Sequence, residues 1–355
     1  MFCIHVDDFA VAATHSSLID DLCAELREKY IVKESDTLED FLGVHMEQEH
    51  GRLFLSQPGL IDKVIATAGL KDDTRAVRIP MRTNWSDDEQ DKAPLCTPTD
   101  KYRTLLGMLI FLLRTRPDIA YAVNRLATRC AGATKKDLSA IQDLIRYIKG
   151  TRHLELTYVA NSREQGDAVG RLYGWADAAY ACHRDGQSHS GICFAYGTPH
   201  SIPVTGKFSS TSKKQSLVCL SSTEAELYAA VEATKDIIFL RNILEELGYA
   251  QLQPTTLYVD NQSMITLASK YSGNAKRVKH FLVRLNFMIE QVANQVIHLE
   301  HIATQEHPAD ACTKPLARAL LEHLRAKQLG AQRERTLPDT ETYADENDAA
   351  DAADA

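Results

Sequence analysis

The chain is predicted to be an α/β protein: a mixed sheet flanked by helices, entered through an α+β segment. Three observations predict this. Downstream of residue 170, three strand-like stretches precede a long helical run, and a further strand then feeds directly into helices, the order that builds a sheet covered by helices. Between residues 101 and 150, apolar side chains recur at helical spacing. Ahead of residue 80, short apolar runs broken by acidic or glycine turns read as hairpins.

Taken in order, residues 1–6 are apolar, break at Asp7-Asp8 and resume over 9–13, which predicts strand, acidic turn, strand. Residues 17–30 place Ile19, Leu22 and Leu26 on one helical face. A hairpin over 41–46 and 52–56 should turn at Gly51, and the polar, Asp- and Pro-rich stretch 82–100 reads as a linker or exposed loop. Leu105, Leu109, Leu112 and Leu113 form one stripe. Ile119, Val123 and Leu126 form a second after the breaker Pro117, and Leu138, Ile141, Leu144, Ile145 and Ile148 a third, closed by Gly150. These stripes are packing faces without chemistry. Strands are expected at 172–177, 190–196 and 216–220, then a helix over 222–247, a strand at 255–260, two helices, a strand at 295–301 and a last helix opening at Pro308. From about residue 332 the chain is acidic, alanine-rich and unpatterned, which predicts a disordered tail.

Composition narrows the classes. With 355 residues, 44% hydrophobic and 25% charged, the chain can build a packed core, and two or three domains are the better prior. The longest apolar run, residues 105–113, is far short of the roughly 20 residues a bilayer span needs, so no membrane role is expected. No charged-then-apolar leader opens the chain, so export is not expected. Eight cysteines without any C-x-x-C pair suit reduced thiols in an intracellular protein better than zinc or disulfides. The formal charge of −8 is misleading, because residues 339–355 carry seven acids and no base; without them the balance is about −1.

Four acids fall at element ends: Asp177 and Asp260 close strands, and Glu226 and Asp310 lie in the first turns of helices. If neighbouring strands carry the first two and the helices start beside them, four carboxylates converge on one edge. Converging anions repel, and hard Mg²⁺ ions with oxygen ligands are their natural occupants. Two ions about 4 Å apart clamp the attacking and leaving oxygens of a phosphodiester, so metal-assisted phosphodiester hydrolysis is the chemistry implied. Each acid also has an ordinary explanation. The helix macrodipole favours Glu224, Glu226 and Asp310 where they stand, Ser221-x-x-Glu224 is a capping box, and Asp260-Asn261 is a turn. Glu224 and Glu226 lie about 200° apart on a helical wheel, and periodicity alone does not choose between them.

The strings Trp175-Ala176-Asp177-Ala178, Ser212-Lys213-Lys214-Gln215, Ser221-Ser222-Thr223-Glu224-Ala225-Glu226-Leu227, Asp260-Asn261-Gln262-Ser263, Lys279-His280 and Ala309-Asp310-Ala311-Cys312-Thr313-Lys314 resemble the ribonuclease H domain of copia-type LTR retrotransposon Pol polyproteins. Upstream, Val6-Asp7-Asp8 resembles the end of the family's reverse transcriptase Y-V-D-D hairpin, with His5 where the family has Tyr. Arg116-Pro117-Asp118-Ile119 and Tyr147-Ile148-Lys149-Gly150-Thr151 resemble its connection helices. On this resemblance, residues 1–95 are a truncated reverse transcriptase palm/thumb remnant, 96–165 a helical connection, 170–325 a ribonuclease H-like mixed sheet flanked by helices, and 331–355 an acidic disordered tail.

The resemblance assigns catalysis and metal binding to Asp177, Glu226, Asp260 and Asp310, and so selects Glu226 over Glu224. It implies two Mg²⁺ ions, with Mn²⁺ as a substitute, and an endonuclease acting on the RNA strand of RNA–DNA hybrids. Asp7 and Asp8 become a vestigial polymerase motif: fingers, most of the palm and the first polymerase aspartate would precede Met1, so DNA synthesis by this chain is not expected. Lys213, Lys214, Asn261, Lys276, Arg277 and Lys279 are candidate nucleic-acid contacts. His301 and His307 are candidates for a mobile product-release histidine. The missing reverse transcriptase half or other retroelement proteins are further expected partners, and the expected location is the cytoplasm, nucleus or a retroelement particle. A catalytically inert relic and a non-enzymatic nucleic-acid-binding fragment are the competing readings.

Overall fold

The computed structural model describes residues 2–33, 39–86, 92–95, 100–159, 170–270 and 279–333, so the expected tail beyond residue 333 lies outside them. Strands β1 (Phe2–His5) and β2 (Asp8–Val11) pair as an antiparallel hairpin, with Val6 at a positive φ of 58° closing the turn. Helix α1 (Ser16–Arg27) follows and buries no residue fully. Strands β3 (Asp40–Phe41), β4 (Val44–Glu49) and β5 (Arg52–Ser56) form an antiparallel sheet, turned at His50-Gly51 and completed much later by β6 (Leu156–Val159).

The helical stripes pack as expected. Helices α2 (Pro58–Ala68), α3 (Asp100–Leu112), α4 (Ala120–Thr128) and α5 (Lys135–Gly150) share one core through Ile61, Val64, Leu105, Leu109, Leu126, Ile141, Leu144 and Ile148. The chain's last helix, α9 (Arg318–Leu329), buries Leu321 and Leu324 in that same core. At its centre Arg116 makes a fully buried bidentate pair with Asp118, at 2.8 Å through both Nε and Nη2. Tyr147 Oη donates to Asp118 (2.7 Å), and Arg325 donates to Tyr147 (3.1 Å), tying α9 to α5.

The third sheet has five strands. Its centre is β7 (Arg171–Ala179), antiparallel to β8 (His189–Gly197), which is antiparallel to β9 (Ser209–Lys214). On the other side β10 (Thr255–Val259) and β11 (Ile297–His301) run parallel to β7. Parallel neighbours need long crossovers, and these are helices: α6 (Ser222–Glu246) before β10, then α7 (Gln262–Lys270) and α8 (Lys279–Ala293) before β11. Ala229, Ala230 and Ala233 let α6 lie close on the sheet, over Leu172, Ala176, Phe194 and Leu257. This is the expected ribonuclease H-like mixed sheet flanked by helices.

Two expectations are corrected. The third strand lies at Ser209–Lys214, not 216–220, because an edge strand needs one ladder and little burial, so its polar sequence hid it. The apolar Leu217, Val218 and Leu220 are instead exposed. No long helix opens at Pro308: Pro308–Cys312 is a single 3₁₀ turn, and Pro315 forbids continuation until α9 begins at Arg318. No helix among the described residues is long and apolar enough to cross a membrane.

Candidate metal centre

Parallel pairing of β7 with β10 brings the first two acids together. Tyr258 pairs with Trp175, and two residues further along each strand stand Asp260 and Asp177. Glu226 joins them from the first turns of α6, and the cap decides which glutamate does so. Ser221 Oγ accepts from the Glu224 N–H (3.2 Å), and Glu224 Oε2 folds back to accept from the Leu220 N–H (2.8 Å). Glu224 is thus used by the helix end, and Glu226 faces the strands. Asp177, Glu226 and Asp260 offer carboxylate oxygens that all lie within 4.8 Å of one another.

Asp177 and Glu226 are buried, and Asp260 is half-buried. Thr313 Oγ1 donates to Asp177 Oδ2 (2.7 Å) and Thr304 Oγ1 to Asp260 Oδ2 (2.8 Å), while Glu226 Oε2 is buried with no hydrogen-bond partner. Burial, followed by the Asp177 and Asp260 charges, pushes the Glu226 carboxyl up to about 10. Burial also raises Asp177, with Asp260 adding to it against the Thr313 hydrogen bond. An orphaned oxygen in a ring of hard anionic donors fits Mg²⁺ or Mn²⁺, which supply the charge the protein does not.

Asp310 is beside this group but not in it. It sits in the 3₁₀ turn, fully buried, with Lys314 Nζ 2.5 Å from Oδ1. Burial and then the Asp177 charge raise it to about 6, against the opposing pull of Lys314. Of the four expected carboxylates, three have oxygens within 4.8 Å of one another, and Asp310 stands close enough for the Asp177 charge to act on it. Two devices hold the turn over β7. His307 Nε2–H donates to the Ala176 carbonyl (3.1 Å), while its Nδ1 accepts from the Ala309 N–H (3.3 Å). Gly191, paired with Asp177 across β7–β8, leaves room for the turn: a Cβ there would stand 2.4 Å from the Ala309 carbonyl oxygen.

His307 is buried, and burial lowers its pKa to about 4, so it is a neutral staple and not a mobile histidine. His301 is exposed at the end of β11. Asn261 Oδ1 accepts from the Met264 N–H (3.0 Å), a helix cap. Lys213 and Lys214 end β9, two strands from Asp177, a separation of roughly 10 Å by strand spacing. Lys213 is exposed, and Lys214 is ion-paired with Asp185. Lys276 and Arg277 lie outside the described residues, as does the side chain of Lys279 at the start of α8. Asp7 and Asp8 are exposed in the β1–β2 hairpin, and among the described residues the only metal-type acidic group is that of Asp177, Glu226 and Asp260. Thr304, Thr313 and Lys314 are functional neighbours that the sequence reading did not assign; Thr313 and Lys314 stood inside a quoted motif, whereas Thr304 gave no signal.

No family model matches the chain. It is 28% identical over 324 residues to the retrovirus-related Pol polyprotein from transposon RE1 of Arabidopsis thaliana, covering 91% of this chain and 21% of that protein. It is 30% identical over 332 residues to the retrovirus-related Pol polyprotein from transposon TNT 1-94 of Nicotiana tabacum, covering 90% and 23%. An uncharacterized mitochondrial protein of Arabidopsis thaliana is 30% identical over 233 residues, 65% of this chain and 90% of its own length. The chain thus spans about a fifth of the length of the Pol polyproteins it matches. Among solved structures, a foamy viral protease-reverse transcriptase in complex with RNA/DNA hybrid is 12% identical, with a TM-score of 0.46 over 85% of this chain and 36% of that one. The LC11-RNase H1 complex with RNA/DNA hybrid is 12% identical, with a TM-score of 0.30 over 40% and 94%.

Proposed function

We propose, since this chain belongs to the family of retrovirus-related Pol polyproteins of copia-type transposons, that it is a metal-dependent nuclease cutting the RNA strand of RNA–DNA hybrids. The observation that carries this reading is the meeting of Asp177, Glu226 and Asp260 within 4.8 Å, although they come from two strands and a helix far apart in sequence. Bound divalent ions would lower the pKa of an attacking water and offset the charge on the leaving 3′ oxygen.

The protein's own contribution is positional. Asp177, near the end of the central strand and held by Thr313, would hold the ions together with Glu226 and Asp260. Burial and the neighbouring charges favour the protonated form of Glu226, and bound cations would favour its carboxylate as a ligand. Lys213 and Lys214, on the sheet edge flanking the cluster, suit backbone phosphates. The exposed Asp7 and Asp8 carry no polymerase role in this reading.

Cleavage of an end-labelled RNA–DNA hybrid in Mg²⁺ tests it. The parent chain should cut the RNA strand, and Asp177→Asn should lose activity on the order of a thousandfold or more. Binding without cutting in the parent would favour the non-enzymatic fragment, and neither binding nor cutting would favour the relic.

A further inference from the structure

Lys314 pairs with Asp310, the acid beside the three clustered carboxylates. Its ammonium lies 2.5 Å from Asp310 Oδ1, four residues along the same turn. The Asp310 side chain is 1% exposed and that of Lys314 46%, so the acid is fixed while the base can swing into solvent without unpacking the core. The charge on Lys314 also acts on Asp177 and Asp260, so one ammonium stands where the fields of several carboxylates add. His307 and Gly191 fix the height of the turn over β7 and so hold Asp310 in place beside Lys314.

We infer that Lys314 is an internal counter-cation, which neutralises Asp310 in the metal-free chain and competes with divalent metal for that carboxylate, setting the concentration at which Asp310 joins the centre. The inference rests on the reading of Asp177, Glu226 and Asp260 as a metal centre. An ammonium and a divalent ion cannot both occupy Asp310 Oδ1. While Lys314 sits there, the other oxygen, buried with no hydrogen-bond partner, offers an ion a carboxylate whose charge is already partly answered. The Asp310 side is buried, so its charge has to be answered by the ammonium or by the ion. The Lys314 side is half-exposed and regains water on leaving, which keeps the competition modest. The three clustered carboxylates then fill first and Asp310 last, which gives metal loading two stages.

Metal affinity of the full chain, without nucleic acid, reads this directly. Mg²⁺ binding is followed by calorimetry, and Tb³⁺ binding by luminescence sensitised through Trp175, two residues from Asp177. Lys314→Met should bind metal roughly three- to tenfold more tightly, and Lys314→Arg should match the parent. In an Asp310→Asn background Lys314→Met should tighten binding much less, because only the reach of its charge to Asp177 and Asp260 remains. Unchanged affinity in Lys314→Met overturns the inference. So does equal tightening in the Asp310→Asn background, which would reduce Lys314 to a distant charge. Asp177→Asn separates the two levels. If it leaves metal binding intact, the metal-centre reading itself falls; if it weakens binding while Lys314→Met has no effect, only the role of Lys314 falls.

Discussion

Asp118 and Asp177 are both buried aspartates, yet the chain treats them in opposite ways. Around Asp118 every charge is answered from within: Arg116 meets both its oxygens, Tyr147 donates to one, and Arg325 stands behind Tyr147. Burial alone would raise its pKa, but the guanidinium holds it below the usual carboxylate range. Around Asp177 the chain supplies a threonine hydroxyl, two more acids and only the reach of the Lys314 charge, and burial still drives the carboxyls upward. A buried acid matched inside the chain is architecture. A buried group of acids left unmatched asks for cations from outside.

Removing the cation from the matched pair is the strongest way to test this difference. Arg116→Met leaves Asp118 buried and uncompensated and should cost about 3–5 kcal/mol in denaturant unfolding, whereas Arg116→Met with Asp118→Leu should recover most of it. Asp177→Asn should do the reverse in the metal-free chain, raising stability by relieving repulsion. Equal destabilisation by Arg116→Met and Asp177→Asn would erase the distinction.

The pH dependence sharpens the same contrast. Glu226 is held at about 10 against an ordinary 4.5, so the folded chain binds its proton more tightly than the unfolded chain. Its stabilising contribution is full below 4.5 and is lost as pH rises toward about 10. Asp310, held at about 6, adds its share between 3.8 and that value. Asp118, held low, works oppositely: its contribution is present above 3.8 and lost as pH falls. In chelator, the melting temperature should therefore decline between about pH 5 and about pH 9, and Glu226→Gln or saturating Mg²⁺ should flatten the decline. A melting temperature that rose over that range would contradict the unmatched state of the cluster.

What the sequence disclosed follows from which forces leave a period. The strands ending at Asp177 and Asp260 and the helical stripes of residues 105–148 were legible because each buries a face. Strand β9 was not, since an edge strand of Ser, Thr and Lys needs only its ladder. The turn carrying Asp310 was not, because a single 3₁₀ turn has no repeat to read, and the grip of Lys314 on Asp310 depends on that turn. Arg116 and Asp118 were visible as a string but not as a pair, because two residues apart is not a helical-face spacing. The helical wheel could not separate Glu224 from Glu226; the cap geometry does.

That last separation carries the smallest expected effect. Glu224 Oε2 accepts one backbone N–H, and a glutamine keeps an acceptor oxygen there, so Glu224→Gln should cost no more than about 0.5 kcal/mol and leave hybrid cleavage unchanged. Glu226→Gln preserves the same volume but removes one of the three clustered carboxyls as a metal ligand, and cleavage should disappear while thermal stability in chelator holds or improves. The two variants differ by two positions along a helix and by nothing in chemistry. A loss of cleavage in Glu224→Gln with retention in Glu226→Gln would mean that the helix end, rather than the strand edge, is where the chain leaves its acid unmatched.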